Sequence, residues 1–189
     1  MKTADALPKP GRRIVLRRLS PDDLPRFQGY RHDPKVGLYQ SWSPESDEEA
    51  AQFLESMSRA ELFQPGRWCQ IGIADLGGDG LVGDIGVCVE EGGRKAEIGF
   101  TLRAESQGVG VGSEAVSLCI KLLFDQTGVD RVVAITDSRN EPSIRMLERI
   151  SMRKVRTMDA VFRGLPCVEY LYSISRTNEA DNKSMQTDR

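Results

Sequence analysis

The chain has 189 residues, a length that suits one domain, and its 39% hydrophobic content is enough to fill a packed core. A net charge of −2 supplies no general electrostatic footprint for nucleic acid. The opening MKTADALPKPGRR has no apolar core of a secretory leader, and no apolar run approaches membrane-spanning length, so a cytoplasmic protein with neither a nucleic-acid nor a membrane partner is expected.

Residues 1–11 are polar, with two prolines, and read as a loose arm. Arg12 to Leu19 alternates well enough for a first strand. Ser20-Pro21-Asp22-Asp23 is a helix start, with an N-cap serine, proline at the first helical position and acids near the positive end. Ser46-Asp47-Glu48-Glu49 is a second start of capping-box type, and Ala50, Phe53, Leu54 and Met57 behind it predict a helix from Asp47 to about Leu62. The period then changes from 3.6 to 2. Strands are expected at Trp68–Leu76, Leu81–Glu90 and Lys95–Arg103, joined by the turns GGDG (77–80) and EGGR (91–94).

This meander runs into ESQGVGVGSEAV (105–116), behind which Ala115, Val116, Leu118, Cys119, Leu122 and Leu123 mark one face of a helix that stops near Gly128. Val129–Asp137 reads as a buried strand. Asn140-Glu141-Pro142 opens a short helix with Ile144, Leu147 and Ile150 inward. Two last strands are expected at Lys154–Phe162 and Cys167–Ser175, and the polar tail 176–189 is expected to be disordered. The domain proper is therefore 12–175.

Cysteine and histidine point away from several chemistries. Cys69, Cys88, Cys119 and Cys167 form no C-x-x-C pair, and each sits in an apolar segment, where a free thiol behaves as a small core residue. The single histidine, His32, lies in the loop-like YRHDPKV and reads as a surface or capping residue, so neither a zinc site nor a Ser-His-Asp triad has its usual parts. No metal is expected.

The glycine loop carries the functional signal. No lysine follows its glycines, so the Walker pattern fails. Gly110-Val111-Gly112-Ser113-Glu114-Ala115 does match G-x-G-x-x-A, but a dinucleotide fold repeats βαβ units, and here the loop follows a meander with one βα unit behind it. A dinucleotide-binding protein and a ligand-free turn remain as alternatives.

Gln107-Gly108-Val109-Gly110-Val111-Gly112 resembles the Q/R-x-x-G-x-G/A loop of the GCN5-related N-acetyltransferases (GNAT). AEIGFTL (96–102), TDSRNEPSIRMLERISMRKV (136–155) and FRGLPCVEYLYSI (162–174) resemble the branch containing acetyltransferases of ribosomal-protein N-termini. The resemblance implies an α/β (α+β) fold: a mixed, mostly antiparallel sheet of about seven strands flanked by about four helices, in the order β-α-α-β-β-β-α-β-α-β-β.

It also implies acetyl-CoA as co-substrate and transfer of its acetyl group to a primary amine, either a protein N-terminus or a small molecule, by a monomer or homodimer. The alternative within this fold is a CoA-binding module without catalysis. On the resemblance, Gln107, Gly108, Val109, Gly110, Val111, Gly112 and Ser113 take the diphosphate at a helix N-terminus. Main-chain groups of Phe100, Thr101 and Leu102 bond the pantetheine arm where their strand splays from 129–137, and one amide polarises the thioester. Asn140 and Ser143 match N-x-x-S, as a cap or pantetheine ligand and as a neighbour of the sulfur.

Many members carry a tyrosine four residues after that serine, as the acid for the thiolate; here the position is Leu147. Ser143, Tyr172 or a water is left for the role, or the thiolate leaves unprotonated. Glu97 and Asp84 are the candidate bases, and strand parity places Glu97 on one face with Gly99 and Thr101. The segment 30–43, with Tyr39 and Trp42, is expected over the acceptor site. Ser151 stands where the family usually has glycine after the helix.

Overall fold

The computed structural model describes residues 6–77 and 80–176. Its strands are β1 (Lys9–Pro10), β2 (Ile14–Arg18), β3 (Trp68–Asp75), β4 (Leu81–Val89), β5 (Lys95–Leu102), β6 (Arg131–Asp137), β7 (Arg153–Phe162) and β8 (Leu165–Ser175). The α-helices are α1 (Leu24–Arg31), α2 (Asp47–Arg59), α3 (Val111–Gln126) and α4 (Glu141–Arg149). The strands form one sheet in the order β1-β2-β3-β4-β5-β6-β8-β7. Every neighbouring pair is antiparallel except β5 and β6. No helix among the described residues is long and apolar enough to cross a membrane.

The eighth strand comes from the segment expected to be loose. Lys9 and Pro10 pair with Leu16 and Val15, and Leu7 is buried beneath them. Proline is tolerated there because β1 is an edge strand, where a missing N–H costs no ladder bond. Residues 1–5 lie outside the described set, as do 177–189 of the tail and Gly78-Asp79 of the GGDG turn. Arg176, read as the first tail residue, is tied down by donating to the carbonyls of Thr127 and Val129.

Helix starts follow their caps. Ser20 and Asp23 exchange a full capping box around the 3-10 turn Pro21–Asp23, which leads into α1. Ser46 caps α2 by accepting from Glu49 N, but the Glu49 carboxylate bonds the amide of Glu45, one residue before the expected partner. His32 is the C-cap residue of α1, in line with a capping role.

The two faces of the sheet have different fates. One face packs Ile14, Leu16, Ile71, Ile85, Val87 and Ile98 against α3 residues Ala115, Val116, Cys119, Leu122 and Leu123. The other face carries α1 and α2 at one end, over a smaller cluster built on Leu19, Phe27, Tyr30 and Leu54. Strand alternation splits β5 accordingly: Ala96 and Ile98 are buried toward α3, and Glu97, Gly99 and Thr101 face the α1–α2 side. The helices cover only part of that side, and the remainder is a cleft.

The end of α4 contains a correctable defect. Ser151 donates to Glu148 O at 3.0 Å and Met152 to Leu147 O at 3.0 Å, the paired bonds of a Schellman cap. The cap puts Ser151 at φ 67°, a left-handed conformation that a Cβ disfavours by about 1–2 kcal/mol. Glycine removes that strain but adds freedom to the unfolded chain. The net expectation for Ser151→Gly is a stabilisation of about 0.5–1 kcal/mol, read as a higher midpoint in urea at unchanged slope; a lower midpoint would show that the serine side chain stabilises the cap.

Candidate functional site

The site begins where two strands part. β5 and β6 pair only from Lys95↔Arg131 to Glu97↔Val133, and beyond Glu97 they diverge. The hydrogen-bond phase of β5 decides which groups face the resulting gap. Glu90 N donates to Lys95 O at 2.9 Å and Arg103 N to Val82 O at 3.0 Å, so the odd residues of β5 bond β4. The even residues point the other way, as Asp130 N on Arg94 O confirms at 2.9 Å. Phe100 and Leu102 therefore present main-chain groups to the gap. Two glutamines already bond their carbonyls: Gln40 Nε2 at 3.3 Å from Phe100 O, and Gln107 Nε2 at 2.9 Å from Leu102 O. The expectation that Thr101 offers its backbone here needs correction, because the phase of the ladder turns its amide and carbonyl to β4. Its residue nonetheless lines the gap.

Behind β5 the glycine loop closes onto α3. Gly108 and Gly110 have φ of 74° and 88°, left-handed values that let the chain coil tightly before the helix, with Gly110 as N-cap. The first amides of a 16-residue helix point into the loop, together with the positive end of its dipole. Arg13 and Glu114 fix the loop from behind. Arg13 donates to the Val109 carbonyl, and Glu114 Oε1 accepts from Arg13 N at 2.9 Å and from Arg12 N. Val109 is turned outward, 56% exposed, and neither it nor Val111 lines the cleft, whereas Gln107, Gly108, Gly110, Gly112 and Ser113 do. This first cleft has a volume of about 420 Å³ and is also lined by Lys35, Arg139, Arg145 and Arg149. Arg139 is paired with Asp137 and Arg145 with Glu141, so the positive charge beside the glycine cradle comes from Lys35, Arg149 and the helix N-terminus, a setting that suits a polyanion.

A second cleft, about 930 Å³, opens on the α1–α2 face of the sheet. The two meet at Tyr39, Gln40, Phe100, Thr101, Asn140 and Ser143, which line both. Tyr39 donates to Arg139 O at 3.3 Å, and Arg163, from the β7–β8 turn, donates to Gly37 O at 2.8 Å and Gln40 O at 3.2 Å, so segment 37–40 arches over the junction. Trp42 both lines the cleft and packs: its ring lies 4.6 Å from Phe53 and 6.3 Å from Phe27.

At the junction, Asn140 Oδ1 accepts from Ser143 N at 3.3 Å as the cap of α4, which leaves its amide nitrogen without a bond to the cap. The Ser143 side chain stands at the mouth common to both clefts.

The carboxylates of the second cleft differ in what holds them. Asp84 is fully buried, in an ion pair with Arg31 at 2.6 Å, and also accepts from Tyr30 and Gln70. Burial first, and then the Asp84 charge, push the Tyr30 phenol well up, so it stays a donor. Arg31 further stacks on Phe27, Tyr30 and Trp42. Both Asp84 carboxylate oxygens are thereby occupied by donors from Arg31, Tyr30 and Gln70. Asp137, at the end of β6, is bonded twice by the Arg139 side chain, which holds its carboxyl below the usual range.

Glu97 faces the cleft, as its parity requires. Burial raises its carboxyl; Lys95 opposes this, and Glu169 adds to it. Yet Glu97 stands three residues from Phe100, roughly 10 Å along the strand, so it reaches the junction only through water.

Tyr172 does not belong to the site. It pairs with Ala134 on the α3 side of the sheet, is 1% exposed, and its hydroxyl donates to Glu148 at 2.9 Å. Burial and that bond push its phenol up to about 12. The opposite face of β8 brings Glu169 into the cleft instead, a residue that sequence reasoning passed over. Leu147, at the family's tyrosine position, is fully buried.

Comparison with known proteins follows the geometry. Residues 13–153 match the family model described as an acetyltransferase (GNAT) domain. The uncharacterized N-acetyltransferase YoaA of Bacillus subtilis (strain 168) is 28% identical over 171 residues, 88% of this chain and 96% of its own. The microcin C7 self-immunity acetyltransferase MccE, solved in complex with acetyl-CoA and AMP, superposes with a TM-score of 0.76 at 16% identity, covering 88% of this chain and 94% of MccE. RimL, a ribosomal L7/L12 alpha-N-protein acetyltransferase, superposes with a TM-score of 0.75 at 17% identity, covering 89% and 93%. At these identities the two structures establish a shared fold.

Proposed function

The chain belongs to the GNAT family of N-acetyltransferases, and on that premise we propose that it moves the acetyl group of acetyl-CoA to a primary amine by direct attack in a ternary complex. The observation that carries the reading is the open edge of β5: two main-chain positions, Phe100 and Leu102, face the gap between a glycine cradle and a second cleft. The acetyl-CoA bound in MccE supports the choice of co-substrate.

Each group then has a task. The amides at the start of α3 receive the diphosphate, and Lys35 and Arg149 add positive charge beside them. Leu102 pairs with the pantetheine arm. The Phe100 N–H is aimed at the thioester oxygen, where it stabilises the charge that develops as nitrogen attacks. The C–N bond forms, the C–S bond breaks, and Ser143, which lines the junction, offers a hydroxyl to the departing sulfur. A free thiol has a pKa of about 8.5, so this proton is only a modest help.

Among the described residues Asp84 is ion-paired with Arg31 and Asp137 with Arg139, and Glu97 stands roughly 10 Å from Phe100 along the strand, so neither ion-paired aspartate nor Glu97 is placed to take the proton directly. The amine must therefore lose its proton to solvent or along a water chain. At pH 7 that costs about 1.4 kcal/mol for an α-amine near pKa 8, and about 4.6 kcal/mol for a lysine-like amine. The site favours the first class, in keeping with the N-terminal activity named for RimL.

The test is a calorimetric titration with acetyl-CoA and, separately, with CoA. One saturable site per chain is expected, with the two ligands competing. Absence of saturation at millimolar ligand would remove the reading.

A further inference from the structure

The turn that joins β7 to β8 carries a residue that its own backbone disfavours. Phe162 pairs with Leu165, so Arg163 and Gly164 are the two central residues, and both have positive φ, 51° and 77°. A two-residue turn of this kind favours asparagine before glycine, whereas an arginine there bears its Cβ in a left-handed conformation. What arginine offers over asparagine at this position is reach. Its guanidinium stacks 5.0 Å from the Phe162 ring and crosses to a segment 126 positions earlier. There it donates to Gly37 O at 2.8 Å and to Gln40 O at 3.2 Å.

Those carbonyls belong to the first residue and the C-cap of the 3-10 turn Gly37–Tyr39, so one side chain grips both ends of it. Two longer bonds, each 3.3 Å, tie the same turn to the junction: Tyr39 to Arg139 O and Gln40 to Phe100 O. The segment is a wall of the first cleft, which Lys35, Val36, Leu38, Tyr39 and Gln40 all line. Arg163 itself lines neither cleft. Whatever it does for the site, it does through the strap 35–40.

We propose that Arg163 is a latch, a positioning residue that holds the strap 35–40 closed as one wall of the acetyl-CoA cleft although it strains its own turn. The consequence for acetyl-CoA rests on the acetyl-transfer reading; the latch does not, and it can be read in the ligand-free protein. Without the guanidinium the strap keeps only its longer ties to the junction, and binding must then order a segment that the latched protein already holds in place. Lysine is a poor replacement, because a compact ammonium on a flexible stem lacks the planar head that stacks on Phe162. Backbone strain and site geometry thus point to the same side chain.

The test compares Arg163→Asn and Arg163→Lys with the unaltered protein. In Arg163→Asn the amides of 33–43 should exchange hydrogen roughly tenfold faster in the ligand-free protein, while peptides from β7 and β8 keep their protection. The urea midpoint should stay level or rise, because asparagine suits the turn. The acetyl-CoA dissociation constant, read by calorimetry, should rise roughly tenfold. Arg163→Lys should recover only a minor part of that loss. Unchanged exchange in 33–43 overturns the proposal, and so does faster exchange throughout the chain with a lower midpoint, which would make Arg163 a structural part of the hairpin. Faster exchange in 33–43 with unchanged affinity overturns its role in the cleft. Full recovery in Arg163→Lys overturns it as well, by assigning the effect to charge alone. Failure of the acetyl-transfer reading is distinguishable, since the unaltered protein would then not bind acetyl-CoA while hydrogen exchange still decides the latch.

Discussion

Replacing Arg31 with methionine is expected to destabilise the protein by about 3–5 kcal/mol, the cost of leaving one partner of a buried ion pair uncompensated. Asp84 is fully buried, and Arg31 is the cation that pairs with it. Tyr30 and Gln70 would remain as donors, but neither carries charge. The substitution also removes a guanidinium stacked 5.1 Å from Phe27 and 5.5 Å from Trp42. For a domain of this size the change corresponds to a fall in Tm of roughly 10 °C. The double variant Arg31→Met with Asp84→Asn should recover most of the loss, because it no longer buries a lone charge. If the double variant is as unstable as the single one, packing on the aromatic rings, not charge, is what Arg31 provides.

Gly110→Glu should weaken acetyl-CoA binding by about 100-fold or more. Two effects add. A side chain at φ 88° strains the N-cap of α3 by about 1–2 kcal/mol, and a carboxylate then occupies a cradle that favours anions. Val109→Glu is the matched control, since it places the same charge one residue away on an outward-facing, exposed side chain that does not line the cleft. Native-like affinity in a folded Gly110→Glu variant, or an equal loss in Val109→Glu, would argue against the cradle as the diphosphate site.

How far the sequence reveals these features depends on the range of the interactions that create them. The loop was legible because glycine spacing is a local property: Gln107 to Ser113 names its own conformation and the helix behind it. Helix starts at Ser20, Ser46 and Asn140 were legible for the same reason. Alternation put Glu97 on one face with Gly99 and Thr101, but which face meets the site depends on how the helices pack, and only the structure turns it to the second cleft.

In β8 that logic had no anchor. Tyr170, Tyr172, Leu171 and Ile174 are apolar or aromatic on both faces, so alternation could not say whether Tyr172 or Glu169 meets the substrate. Only the pairing of Tyr172 with Ala134 decides it. The main-chain phase of β5 was equally hidden, since it depends on the partner strand and not on side chains. Thr101 was therefore credited with an amide that β4 uses. The ion pair of Arg31 with Asp84 joins residues 53 apart, and no spacing rule connects them. β1 escaped notice because two residues carry no period.

The most direct test of acetyl transfer is product formation across pH. Purified protein is supplied with acetyl-CoA and a panel of small primary amines and N-terminal peptides. Free CoA and N-acetylated product are then measured together. The account predicts one N-acetylated amine for each CoA released. It also predicts a kcat/KM that rises with pH until the acceptor's own pKa, near 8 for an α-amine, because Asp84 and Asp137 are ion-paired and Glu97 stands away from the Phe100 amide. CoA released only at the background hydrolysis rate with every amine, from a protein that still binds acetyl-CoA, would contradict it and leave a binding module in place of an enzyme.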